Sequence, residues 1–436
     1  MKLSEYTIIK NFEEELVLYN LITGAILSVD SEVKELVKKL YDTGDISIIN
    51  DEKVKEVLTE GGFIIENYDE ISFMNYISKK SRDNRNTLSL TLIPTLKCNF
   101  KCPYCYEVNS VKESMSSSII SKIPTFITNI LSKNKIDKIK VMWYGGEPLL
   151  ALDTIEILKN QIDSIAKNED IEVEYSMVSN GFLINNDNLE RIKSLNLRDI
   201  QITIDGPEQI HNKRRILKNG KPTYSVIMDN IQKLTKFTKV LVRINVDNTN
   251  HKDTSEILKD LEKIINRENL IIYIARVDPI NSEEIDNICL TNKEFSNVEI
   301  DFNRKLLEDG YYVNLVPPLG LALCGAMTSL CYVIDPFGDV HKCWNTVGIR
   351  EDRVGNISDD NDMSVNEIMN DILWSNADML DEECKKCKVL PLCYGGCSYY
   401  KVKGKKRCIS FKENIDDLLF MKYKEYKTSL VEKGNL

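Results

Sequence analysis

The chain has no run of residues long and apolar enough to read as a membrane span. Its most apolar window, Val313 to Ile334, is broken by Pro317-Pro318 and carries two cysteines. Positive charge is in deficit: 57 Lys and Arg stand against 67 Asp and Glu, a net charge of −10. Such a balance argues against a nucleic-acid substrate. Within it the basic segment Lys401 to Arg407 is short and reads as solvated surface. The opening residues, Met-Lys-Leu-Ser-Glu-Tyr, lack the charged-then-apolar pattern of a secretion signal, so a cytoplasmic location is expected. Without that signal, twelve cysteines point to metal binding in a reducing compartment and not to a disulfide framework. At 436 residues, the size prior gives about two to four domains.

Three of the cysteines, Cys98, Cys102 and Cys105, form a C-x3-C-x2-C loop directly after the strand-like run Leu88 to Leu96. One short loop of this spacing can hold three corners of a [4Fe-4S] cubane. The fourth corner has no cysteine, which leaves one iron open to a small molecule. A zinc knuckle and plain reduced thiols are the other readings, although zinc loops favour paired C-x2-C units.

From Thr87 to about Gly310, strand-like runs alternate with amphipathic stretches. The runs are Leu88 to Leu96, Lys138 to Tyr144, Ile171 to Val178, Asp199 to Ile204, Lys239 to Val246 and Leu270 to Arg276, which gives six βα units. A parallel sheet curled into a partial barrel follows, with its site at the carboxyl ends of the strands. Gly145-Gly146-Glu147-Pro148 falls at such an end. Its glycines permit close backbone approach to a ligand, and Glu147 can add charge, though a bare Gly-Gly is also a turn. Ser179-Asn180-Gly181 ends the third strand with groups suited to ribose hydroxyls, or with an ordinary turn. The fourth strand runs into Asp205-Gly206-Pro207 and then His211-Asn212-Lys213-Arg214-Arg215.

The cysteine loop, with Tyr104 before its last cysteine, and the Gly-Gly-Glu-Pro segment resemble the signatures of the radical S-adenosylmethionine (SAM) enzymes. The resemblance implies that Cys98, Cys102 and Cys105 bind a [4Fe-4S] cluster whose open iron takes the amino and carboxyl groups of SAM. One electron then gives a 5′-deoxyadenosyl radical. It also implies cofactor contacts from Tyr104, from Gly145, Gly146 and Glu147 to the SAM amino group, and from Ser179 and Asn180 to the ribose. Thr203 and Arg215 would hold the SAM carboxylate, a pairing that suits a guanidinium fork. Asp205, His211 and Arg214 read equally well as structural, and Arg243 on the fifth strand is left unassigned.

The last 126 residues hold Cys324, Cys331, Cys343, Cys384, Cys387, Cys393, Cys397 and Cys408. Their spacing resembles the SPASM branch of the family, with Cys331 as an eighth member. The resemblance implies two auxiliary [4Fe-4S] clusters, one on Cys324, Cys331, Cys343 and Cys397, the other on Cys384, Cys387, Cys393 and Cys408. Three [4Fe-4S] clusters and SAM are therefore the expected cofactors, with two four-thiolate zinc sites as the plainer reading of the C-terminal set. Cys289 fits no cluster and reads as a packing residue.

Residues 1–82 precede every cysteine. Strand-like Tyr6 to Lys10, Glu15 to Leu21 and Gly24 to Val29 come before helical Ser31 to Tyr41 and Asp51 to Thr59, and Lys79 to Asn86 reads as a linker. The order resembles the winged-helix RiPP recognition element, which implies that a precursor leader adds beside Ala25 to Val29 and packs on the last helix. A structural cap is the plainer reading. The whole is then an α/β chain: a winged-helix-like module at 1–82, a partial (β/α)6 radical SAM barrel at 88–310 and a Cys-rich SPASM domain at 311–436. The implied activity is that of an anaerobic radical SAM oxidoreductase forming Cys thioethers in a Cys-rich precursor peptide, as sactipeptide and ranthipeptide maturases do. An electron donor such as flavodoxin or ferredoxin completes the expected partners. Anaerobic sulfatase (formylglycine) maturation is the alternative, as are C–C or C–O cross-linking and epimerisation. Relatives of the sulfatase kind begin near the cluster loop and carry an Asp base after the cysteine aligned with Cys343, where this chain has Trp344. A leader-binding scaffold whose clusters only transfer electrons is the non-enzymatic reading.

Overall fold

The structure is a computed structural model that describes every residue except 30, 84–85, 108–109, 281–282, 317–323, 360–363, 378–379 and 433–436. Residues 1–83 carry β1 (Lys2–Leu3), β2 (Thr7–Phe12), β3 (Glu15–Asn20), β4 (Ile26–Val29), α1 (Ser31–Thr43), α2 (Glu52–Glu60), β5 (Ile64–Ile65) and α3 (Glu70–Arg82). An antiparallel sheet in the order β2-β3-β4 leaves β4 at an edge, and β1 pairs with β5. Asp51 caps α2 through the N–H groups of Lys53 and Val54, and Gly61 ends it. The segment expected as a linker is helical as far as Arg82. Lys79, Lys80 and Arg82 form the basic last turn of α3, where cations suit the helix dipole, and Met74 and Ser78 of the same helix are buried. The charge that read as linker is the solvated face of a helix.

The barrel follows as β6 (Thr87–Thr95), α4 (Ser117–Leu131), β7 (Lys138–Gly145), α5 (Leu152–Asn168), β8 (Glu172–Ser179), α6 (Leu189–Ser194), β9 (Leu197–Thr203), α7 (Glu208–Arg214), α8 (Tyr224–Leu234), β10 (Lys239–Val246), α9 (Leu258–Leu261), β11 (Leu270–Arg276) and α10 (Asn292–Glu308). Strands β6 to β11 lie side by side in sequence order, each parallel to the next. Alternation assigns the two faces: Val240, Val242, Ile244 and Val246 of β10 are fully buried, while Arg243 and Asn245 share the other face and Arg243 Nε donates to Asn245 Oδ1 at 2.8 Å. At the β6 edge the sheet is extended by β12 (Cys331–Ile334), parallel to β6, and then by antiparallel β13 (Asp339–His341) and β14 (Gly355–Asn356). Helix α11 (Val365–Ser375) follows, then α12 (Glu382–Lys385), α13 (Leu390–Cys393), α14 (Ser398–Val402) and α15 (Ile415–Glu432).

These elements form two compact units. One comprises Met1–Asp83, Asn314–Leu323 and Asp378–Leu436, and the other Asn84–Val313 and Cys324–Ala377. The C-terminal region that reads as one domain in sequence is thus divided. Its first part continues the barrel sheet through β12, and its second part shares a core with the N-terminal module. That shared core holds Tyr6, Tyr19, Leu21 and Met74 together with Cys384, Leu390, Leu392, Tyr394 and Leu419. Helix α15 lies on the β2–β3 hairpin: Phe12 meets the rings of Phe420 and Tyr423 at 5.3 and 5.6 Å, and Lys10 pairs with Asp416 at 2.6 Å. Among the described residues no helix is long and apolar enough to cross a membrane.

Candidate functional site

The site is built where β6, β7, β8 and β9 end. The turn after β7 needs its glycines because the start of the cysteine loop lies against it. A Cβ on Gly145, at φ +124°, would sit 2.3 Å from the Thr95 carbonyl, and one on Gly146 would sit 2.5 Å from that of Lys97. The space is thus filled by backbone, and Gly146 and Glu147 donate to the Thr95 and Lys97 carbonyls at 3.2 and 2.9 Å. Glu147 is fully buried. Its carboxylate accepts from Ser179 Oγ at 2.8 Å, from the Asn180 N–H at 2.7 Å and from the Leu149 N–H at 3.1 Å. Burial pushes its pKa up, against those hydrogen bonds. Glu147 therefore ties the β7 turn to the β8 turn. Asn180 in turn reaches the cysteine loop, donating to Asn99 Oδ1 at 2.7 Å and approaching Cys98 Sγ at 3.9 Å.

Asp205, after β9, anchors the other side. It is fully buried and accepts from the Tyr104 hydroxyl, from Arg214 Nε at 3.2 Å and from the Asn245 N–H at 3.3 Å. Arg214 also grips Asp247 with both carboxylate oxygens at 2.7 and 2.8 Å and lies over the Tyr104 ring at 4.9 Å. His211 receives the Asp205 N–H at Nδ1 (3.3 Å), and its Nε2 lies 3.0 Å from Thr223 Oγ1. Burial, reinforced by Arg215 and Arg214, holds this imidazole well below its usual pKa, so it is neutral. These three residues, ambiguous in sequence, form one buried frame under the loop. Asp247 and Asn245 complete it and carried no sequence signal, since neither belongs to a spaced motif.

Arg215 is buried beside this frame. One Nη donates to the Tyr104 hydroxyl at 2.8 Å, but its Nε has no partner. An arginine nitrogen left so is suited to an anionic oxygen. Thr203, the last residue of β9, is also buried. The three thiols lie close enough to perturb one another: burial raises all three, Cys102 to about 12, and the neighbouring thiols add to the shift on Cys98 and Cys102 while Arg215 opposes it. A bare thiolate is disfavoured there, and the iron of a cluster would supply the missing positive charge. Among the described residues, no three Cys, His, Asp or Glu side chains gather as they would around a single metal ion. A cubane asks for something different, one thiolate at each iron corner.

A model of the Radical SAM superfamily matches residues 92–264, the span that carries this loop and every turn just described. The chain carries a radical SAM domain. It is related to sulfatase maturases and to peptide-modifying enzymes. A cysteine-type anaerobic sulfatase-maturating enzyme of Clostridium novyi is 27% identical over 339 residues, 71% of this chain and 88% of that enzyme. The radical SAM cyclopropyl synthase TigE of Paramaledivibacter caminithermalis is 25% identical over 442 residues, 91% of this chain and 89% of TigE. Among solved structures, native anSMEcpe with bound AdoMet and Cp18Cys peptide superposes with a TM-score of 0.59 at 22% identity, covering 76% of this chain and 98% of that one. Streptococcus suis SuiB bound to precursor peptide SuiA gives 0.51 at 13% identity, covering 92% and 96%. Both share the α/β radical SAM fold.

The chain carries a second concentration of thiols. Cys384, Cys387, Cys393 and Cys408 line one cavity together with Leu390, Lys406 and Lys412. Burial raises Cys384 and Cys393, and Lys412 Nζ lies 4.0 Å from Cys408 Sγ. The other implied set is divided: Cys324, Cys331 and Cys343 belong to the barrel unit and Cys397 to the other. Gly325 leaves room for the Cys331 thiol, which a Cβ would meet at 2.7 Å. Cys289 donates its S–H to the Ile285 carbonyl at 3.3 Å. Trp344 stacks on Tyr144 with ring centres 5.5 Å apart, and Tyr144 bonds to the Tyr106 hydroxyl. Beside them Glu107, buried and with one oxygen unpartnered, is pushed up to about 7 by burial. No sequence reading had singled it out.

Proposed function

We propose that the enzyme is a peptide maturase that forms Cys thioether cross-links in a ribosomally made, Cys-rich precursor. Cys98, Cys102 and Cys105 hold a [4Fe-4S] cluster, and the unpartnered Nε of Arg215 with Thr203 receives the SAM carboxylate. When bound, cluster and SAM supply a primary carbon radical able to take hydrogen from an unactivated C–H bond. Glu147 fixes Ser179 and Asn180 toward the ribose. Asp205 and Arg214 hold Tyr104 and so fix the loop. Cys384, Cys387, Cys393 and Cys408 hold an auxiliary cluster. The single observation that carries the site is the buried guanidinium of Arg215, with Nε unpartnered and one Nη bonded to Tyr104 of the cysteine loop.

The substrate class rests on observations of a different kind. Relatives named for peptide or sulfatase maturation span most of the chain, the strand edge at β4 is open for a leader, and α3 exposes Phe73 and Tyr76. Trp344 stands where the family's sulfatase branch places an Asp base. Coverage of TigE over nine-tenths of the chain favours one second reading, a C–C bond in the peptide. Forming a thioether would break one S–H and one C–H bond and join sulfur to carbon: the carbon's hydrogen atom would go to the deoxyadenosyl radical, the thiol's proton to solvent, and the remaining electron to an oxidised iron-sulfur cluster that Cys384, Cys387, Cys393 and Cys408 would hold. Anaerobic incubation with SAM, reductant and the precursor encoded beside the gene should remove two hydrogens and one alkylatable thiol per link. Loss of two hydrogens with every thiol retained would mean a C–C bond, and an unchanged mass rejects both.

A further inference from the structure

The inner face of the barrel sheet holds a cation with no acid. Arg243, half-buried on β10, donates from Nε to Asn245 Oδ1 at 2.8 Å. Asn245 Nδ2 in turn donates to the Tyr104 hydroxyl at 3.3 Å, which links the arginine to the cysteine loop. In the sheet Arg243 stands beside Thr203 of β9 on one side and Tyr273 of β11 on the other. The Tyr273 hydroxyl reaches across β10 to donate to Gln201 Oε1 at 2.6 Å. The amide nitrogen of Gln201 is then a further donor with no acceptor among the described residues. Arg243 also opposes the burial that raises the phenols of Tyr144 and Tyr273, one on β7 and the other on β11, so its charge is felt across the barrel. Arg191, Arg198, Arg214 and Arg353 each meet a carboxylate. Among the described residues Arg243 meets none, in a chain with 67 Asp and Glu.

We infer that Arg243, with the Gln201 amide, is a specificity-determining residue that takes a carboxylate of the precursor peptide. That carboxylate is either an Asp or Glu side chain near the residue that loses hydrogen or the C-terminus of the peptide itself. A guanidinium fork matches a carboxylate with two parallel hydrogen bonds, and carboxylates are the groups of an unmodified peptide that stay anionic throughout the neutral range. The SAM carboxylate is the other candidate, but Arg215 and Thr203 are assigned to it, and Arg243 lies one strand beyond Thr203, about 4.8 Å farther across the sheet. No bond is made or broken at this site. The inference rests on the peptide-maturase reading given above.

The test uses the full iron-loaded protein with SAM, kept from air, and the precursor encoded beside the gene. Arg243→Gln and Arg243→Lys are set against precursors in which each Asp or Glu is changed singly to Asn or Gln, and against one with an amidated C-terminus. Arg243→Gln should weaken equilibrium binding of the precursor roughly tenfold and Arg243→Lys less, while SAM binding and the thermal unfolding midpoint do not move. One altered precursor should show the same loss with the wild-type protein and no further loss with Arg243→Gln, as expected of two partners in one contact. Whether it is a side-chain variant or the amide identifies the source. Weakened SAM binding in Arg243→Gln overturns the inference, because the arginine would then serve the SAM carboxylate. Equal precursor binding by the two proteins overturns it too, as do losses that add for every altered precursor. A wild-type protein that binds the precursor yet leaves its mass unchanged rejects the cross-linking reading instead, and the paired losses in binding still decide the carboxylate site. Failure to bind the precursor at all overturns both.

Discussion

Arg215 and Arg214 are neighbours in sequence with opposite tasks. Arg214 spends its donors on Asp205, Asp247 and the Asn245 carbonyl, whereas Arg215 keeps Nε unpartnered. The two positions therefore respond differently to substitution. Arg215→Lys retains the charge but loses the planar fork, so SAM binding should weaken about tenfold or more while thermal unfolding changes little; equilibrium binding of SAM to the reconstituted protein measures it. Asp247→Ala leaves the Arg214 guanidinium buried with half its anchorage gone, and should cost about 3–5 kcal/mol of stability in denaturant unfolding. If Asp247→Ala proves neutral, the frame under the loop is not what holds Tyr104. Both arginines sit in one spaced segment that was visible in the sequence. What Arg214 does was not, because that depended on Asp247, brought alongside from the end of β10.

At the scale of elements, the loop of Cys98, Cys102 and Cys105 owes its position to the turn that it packs on. Gly145→Ala places a methyl 2.3 Å from the Thr95 carbonyl and strains a backbone at φ +124°. The loop must then lift, and iron retained after anaerobic reconstitution should fall by roughly four atoms per chain, with the C-terminal thiols still loaded. The six barrel strands lie where hydrophobic alternation put them, two of them, Lys239–Val246 and Leu270–Arg276, to the residue, because each pairs with its sequence neighbour and one face of each strand is the more deeply buried. Helix α3 was missed because its exposed charges masked a stripe carried by only a few buried side chains.

For the whole molecule, the unit that holds the N-terminal module also holds the C-terminal cysteine cavity. The segment around Cys384 contains only short helices, with Cys384, Leu390 and Leu392 set in the same core as Tyr6, Tyr19 and Met74. Metal binding is folding free energy for such a segment. Cys384→Ser combined with Cys393→Ser, or chelation of the native protein, should therefore raise amide hydrogen exchange at least tenfold in Thr7–Asn20 and leave the barrel strands protected. Uniform exchange in both units would show instead that the cysteine cavity contributes nothing specific to the module.

Spacing along the chain determined the chemistry: thiols with three and two residues between them, glycines before a glutamate, and strands every few tens of residues are local facts that any conformation inherits. Which distant residues meet was decided only by folding. The partition of the C-terminal cysteines between two units, the burial of Asp247 against Arg214 and the unpartnered nitrogen of Arg215 arise from contacts across long stretches of chain. Such contacts depend on shape and desolvation, which leave no period in the sequence to be read.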